Sequence, residues 1–164
     1  MKTLMLCGLL STALAADVAT LQTTRKKVVV IVNAGNPVGA LTPERARELF
    51  LKKHTTWKGV LSELSETPGF DANEKVRPVD LTEGHAERAV FLQKVLGMSS
   101  AVLSRHWVKL QYQSAVEPAT QVDTAARLIR LVGDSRGAIG FAEEGALDAE
   151  ALKKVKVVLT LEAD

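Results

Sequence analysis

The chain reads as an α/β domain in which helices pack on both faces of a sheet, because strand-like and helix-like segments alternate along it. Two observations carry this reading. Val28 to Val32 is a run of five β-branched residues, stiff at χ1 and suited to a strand. It has no polar alternation, so both of its faces must be covered. Further on, apolar residues at helical spacing (Ala46, Leu49, Phe50; then Leu103, Trp107, Leu110; then Ala125, Leu128, Ile129, Val132) fall between the strand-like runs Val76 to Leu81, Ala138 to Ala142 and Val155 to Leu161.

Each element has a local cause. Asn33 to Pro37 breaks the first strand as a turn. Thr42-Pro43-Glu44 is a helix start: a hydroxyl cap, a proline whose missing N–H is not needed, and an acid at the positive end, with Leu41 placed to staple onto Ala46. That helix ends among Lys52, Lys53 and His54, and Trp57 and Gly59 follow in a loop. Val60 to Lys75 is irregular, with turn residues Pro68, Gly69, Asp71 and Asn73. Thr82 is expected to cap a helix from Glu83 to Leu96 that stops at Gly97, and Ser99 or Ser100 to cap the next. Gln113 to Gln121 is expected as a loop around Pro118. Asp123 is expected to cap a helix closed by a left-handed Gly133, and Asp148 to Lys153 to form at most two turns. In the closing strand Val155, Val157, Leu159 and Leu161 share one face.

The N-terminus reads as an export signal. Lys2, a short apolar run from Leu4 to Leu14 and the A-x-A site Ala13-Leu14-Ala15 make residues 1–15 a cleavable leader. The run is about half of the roughly 20 residues a membrane-spanning helix needs. The expected location is therefore periplasmic or secreted, without membrane insertion of the mature chain. Residues 16–26 form a polar tether and 27–164 one domain, with no repeat or internal linker. Cys7, the only cysteine, leaves with the leader, which excludes disulfides and thiolate chemistry from the mature chain. Loss of Lys2 leaves 20 basic residues against 19 acidic, a balance without the electrostatic footprint of a nucleic-acid binder.

Motifs of common enzymes are missing: no G-x-S-x-G, H-E-x-x-H, G-x-x-x-x-G-K or G-x-G-x-x-G occurs. His54, His85 and His106 lie too far apart in sequence for metal-ligand spacing, and Asp71 and Asn73 are followed by Lys75 where a calcium loop needs an oxygen. Ser135 and Arg136 suit a turn, without a histidine nearby in sequence. The expectation is a protein that is not an enzyme and carries no cofactor or metal. One constellation remains, the Val76 to Leu81 strand running through Thr82-Glu83-Gly84-His85 into a helix. Unpaired N–H groups and a positive dipole end suit an anion there, and Gly84 would permit close approach.

Several segments together resemble one family. Phe50-Leu51 with Trp57 and Gly59, Pro78-Val79 with a turn and Arg88 to Phe91, then Trp107, Pro118 and Gly137-Ala138-Ile139-Gly140-Phe141, are similar in order and spacing, over Val28 to Leu147, to the phosphate-binding substrate-binding proteins of ABC transporters. The resemblance implies a single lobe of the periplasmic-binding-protein type 2 fold, a mixed sheet with helices on both faces, in a mature chain about half the family's usual size. It implies a small phosphate-like anion as ligand and a membrane transporter, a sensor or a second copy of the chain as partner. The residues implied at the ligand are Asp80, Thr82, Gly84, His85, Ala86 and Arg88. The family's loop has an arginine and then Ser-Gly-Thr; here those positions fall near Leu81 and near His85, Ala86 and Glu87, so acids stand where donors belong. Lys52 occupies a position where the family often has glycine.

Overall fold

The computed structural model describes residues 26–61 and 69–162; the expected leader, most of the expected tether and the middle of the Val60 to Lys75 stretch lie outside the described residues. Five strands form one mixed sheet in the order β3-β2-β4-β1-β5. β1 (Lys27–Asn33) is antiparallel to β4 (Ala138–Glu143) and to β5 (Val155–Glu162), whereas β2 (Arg77–Leu81) is parallel to β3 (Thr120–Val122) and β4. Val28 to Val32 is buried along its whole length, as a strand sandwiched between helices must be.

The two faces are separable at β4. Gly140 points at α5 (Ala125–Asp134), where a Cβ would meet Leu128 at 2.6 Å. Phe141 points the opposite way and stacks on Phe91 of α3 (Ala86–Phe91), ring centroids 4.2 Å apart, while Phe50 of α1 (Pro43–Phe50) leans on Phe91 at 4.4 Å. This aromatic trio is the centre of the core on that face. Trp57, just before the short α2 (Lys58–Leu61), is fully buried and donates from Nε1 to the Gly137 carbonyl at 3.1 Å, so it is a packing residue with a satisfied polar edge. Trp107, one of the apolar residues at helical spacing, is half-buried at the margin of the core on α4 (Ser100–Ser114).

Local rules hold at several ends. Thr42 caps α1 by accepting from the Arg45 N–H, Ser99 caps α4 by accepting from the Val102 N–H, and Gly97 (φ 62°) ends the π turn Leu92–Leu96 that continues α3. α6 (Ala151–Lys154) starts where Asp148 accepts from the Ala151 N–H at 2.7 Å.

Other expectations are corrected. Thr82 does not cap: its N–H donates to the Val122 carbonyl, prolonging the β2–β3 ladder, so the helix begins only at Ala86 with His85 in the cap position. The cap of α5 is Thr124 rather than Asp123, its hydroxyl accepting from the Arg127 N–H. Gly133 is no left-handed stop but lies inside α5, which continues to Asp134. Asn33 does the capping from β1, its Nδ2 donating to the carbonyls of Val132 and Gly133 at 3.1 and 2.7 Å. The loop around Pro118 is shorter than expected, with α4 reaching Ser114 and β3 starting at Thr120. Finally, Val155, Val157, Leu159 and Leu161 do not share a face. The pairing with β1 skips Val158, a bulge that shifts the alternation, so Val155, Val158 and Leu161 are the buried residues.

Candidate functional site

The carboxyl ends of the parallel strands β2 and β3 lie side by side, and α3 and α5 start just beyond them. In open α/β sheets this end of the strands is where ligands bind. Here it is built around one ion pair. Asp80, the fourth residue of β2, and Arg88, in the first turn of α3, are both buried at the corner. The guanidinium donates from Nε to both carboxylate oxygens at 3.1 and 3.2 Å and from Nη2 to Oδ2 at 3.0 Å, a forked contact. Its Nη1 donates to the Ser100 hydroxyl at 2.7 Å, which in turn donates to Glu83 at 2.6 Å. The chain Asp80–Arg88–Ser100–Glu83 thus ties the end of β2 to the starts of α3 and α4.

Of the six sequence-derived candidates, Asp80 and Arg88 converge, whereas Thr82, Gly84 and Ala86 lie exposed on the rim. Gly84 supplies a backbone angle rather than clearance: its φ is +97°, and a Cβ built there meets nothing within 4 Å. His85 turns sideways and donates from Nε2 to the Asp123 carbonyl at 3.0 Å, linking the α3 start to the β3–α5 corner, with its Nδ1 3.7 Å from Glu87. Electrostatically the corner is acidic. Asp80 occupies the fork of the one arginine, Glu83 is joined to it through Ser100, and Glu87 stands next to it in α3.

Ser100 and Glu83 belong to the site although no motif in the sequence marks them as site residues. The readable signal was the Ser99-Ser100 doublet at a helix start: once Ser99 caps α4, the hydroxyl of Ser100 is left for another partner.

No protein-family model matches the chain, and no curated protein matches it either. Solved structures do match. An ABC-type phosphate transport receptor of Vibrio cholerae is 25% identical with a TM-score of 0.57. This is the fold of phosphate-transporter substrate-binding proteins. A putative phosphate ABC transporter substrate-binding protein of Clostridium perfringens, with bound phosphate, is 20% identical at 0.59, and a possible phosphate binding protein of Planctomyces limnophilus is 17% identical at 0.56. In all three cases 81% of this chain is covered, against 45%, 44% and 40% of the neighbour. The chain therefore spans less than half the length of these proteins, which fits a single lobe of their fold. Among the described residues no helix is long and apolar enough to cross a membrane.

Proposed function

We propose that this chain is a non-enzymatic, exported solute-binding lobe whose strand-end corner holds phosphate-like anions only weakly. The observation that carries this reading is the Asp80–Arg88 pair. The buried cation that a phosphate would seek already has a carboxylate on its fork, and Glu83 and Glu87 add like charge to any arriving anion. What is left for an anion is the start of α3 at Ala86, backbone donors with a positive dipole end. The likeness to phosphate-transporter binding proteins supports the solute-binding role, and the leader-like N-terminus supports export.

Calorimetric titration of the chain with inorganic phosphate tests this, with Ala86→Asp as the control. That substitution places a carboxylate at an exposed first-turn position, where helices tolerate acids well. Heat that saturates only at millimolar phosphate and disappears in Ala86→Asp is the expected result. Micromolar binding would overturn the neutralised-arginine argument, and an absence of heat with phosphate, sulfate and small carboxylates would overturn solute binding.

A second reading, a lobe that docks a transporter, a sensor or its own copy, is favoured by α4. Of its fifteen residues only Leu103 is fully buried, while Val102, Val108 and Tyr112 are exposed. Apolar side chains kept in water along one helix suit a protein partner. Size measurement across a concentration series, combined with capture from envelope extracts, separates the two readings: a strict monomer that retrieves nothing fails as a docking module.

A further inference from the structure

The other end of β2, some 13 Å away at about 3.3 Å per residue, carries charge of the opposite sign. A cleft of about 400 Å³ opens there against Lys52, Lys75, Arg77, Glu117 and Thr120. An adjoining hollow of about 310 Å³ shares Lys52, Lys75 and Glu117. Three cationic residues and one acidic residue thus line a concavity within the size range of small-molecule sites.

The backbone around this cleft is unusual. Lys52 follows α1 in the left-handed region, φ 52°, inside a Schellman turn in which the Lys53 N–H donates to the Glu48 carbonyl at 2.9 Å and its own N–H to Leu49 at 3.1 Å. Glycine fills that position without steric penalty. Among the described residues the other non-glycine residue at positive φ is Ala115, which lines the adjoining hollow. Both are helix-ending positions, Lys52 after α1 and Ala115 after α4, so two helix ends meet at one concavity. Lys52 is half-buried and spends one of its three donors on the Glu117 carbonyl at 2.8 Å. Burial lowers its pKa, Glu117 acts in the opposite direction, and the like charge of Lys75 lowers it further. An anion between the two ammonium groups would relieve that repulsion.

We propose that this cleft binds a small polyanion, a molecule with two or more carboxylate or phosphate groups, held by Lys52, Lys75 and Arg77. The site is distinct from the Asp80 corner, and the proposal goes beyond the function given above. Calorimetry with citrate and with pyrophosphate at low salt tests it on the wild-type chain, a Lys52→Gly/Lys75→Gln double variant and Ala86→Asp. Glycine suits the left-handed position, so the double variant retains its backbone. Saturable binding of at least one probe in wild type and Ala86→Asp, weakened tenfold or more in the double variant, is the expected result. Three results overturn it: no saturable heat with either probe, unchanged affinity in the double variant, or binding lost in Ala86→Asp. The last would place the anion at the Asp80 corner and speak for the function proposed above, so the two readings fail separately.

Discussion

Arg88 grips both carboxylate oxygens of Asp80 within 3.2 Å, and the side chains of the pair are each only 6% exposed. A buried pair is costly to break from one side, since the remaining charge has neither water nor partner. Asp80→Asn is therefore expected to lower unfolding free energy by about 3 kcal/mol in urea titrations, as is Arg88→Met. The double change Asp80→Leu/Arg88→Met, which leaves no orphan charge, should lose less than either single change. Asp80→Asn also leaves a cation at the corner, so phosphate should raise its melting temperature more than that of the wild type.

The helix caps give a sharper contrast. Thr124 caps α5 with its hydroxyl, whereas Thr82 is exposed and takes part through its backbone N–H alone. Thr124→Ala should cost about 1 kcal/mol. Thr82→Ala should change stability by less than about 0.5 kcal/mol, as surface substitutions commonly do. Equal losses in the two variants, measured by urea unfolding, would contradict the assignment of the caps.

This contrast shows what was legible in the chain. Val28 to Val32 announced a doubly covered strand because five β-branched residues without alternation suit little else. Thr42-Pro43-Glu44 announced α1 because its cap is entirely local. Thr82 misled because a tertiary bond, its N–H to Val122, outcompetes the local cap. The bulge at Val158 and the Asn33 clasp on α5 depend on partners far away in the sequence, which no local pattern encodes. At the corner, the family resemblance marks Asp80 and Arg88 as ligand residues, yet their mutual engagement follows only from the crossing of β2 and α3.

The Asn33 clasp can be measured. Its amide satisfies two carbonyls at the end of α5, and Asn33→Ala leaves both without that donor beside a buried strand. A loss of about 1–3 kcal/mol is expected. Hydrogen exchange should show faster opening at the C-terminal turn of α5, with the start at Thr124 unaffected.

Two glycines of the Gly137–Phe141 segment should respond differently to alanine. At Gly140 a Cβ meets the Leu128 and Val132 side chains at 2.6 and 3.0 Å, which can shift by rotamer change. Overpacking of that kind costs about 1–3 kcal/mol. At Gly137 the Cβ falls 2.1 Å from the Lys75 backbone carbonyl, and the Gly137 carbonyl is the one that holds Trp57. Gly137→Ala is expected to be the more damaging of the two and to shift Trp57 fluorescence toward the red. A smaller loss than Gly140→Ala would show that the Lys75 segment yields easily.

Lys52 combines both kinds of strain, a left-handed backbone and a half-buried ammonium. Lys52→Gly removes the Cβ clash and is expected to stabilise the fold by about 1 kcal/mol. Its pH dependence has a definite sign. Because burial lowers the folded-state value below the unfolded 10.5, the unfolded chain holds the proton more tightly, so ionised Lys52 opposes folding below the folded value. That penalty fades as pH rises from the lowered value toward 10.5, and wild type should gain stability relative to Lys52→Gly between pH 7 and pH 10. Urea unfolding of both proteins at the two pH values checks this; a gap that widens with pH would mean that the Glu117 carbonyl compensates the buried ammonium in full.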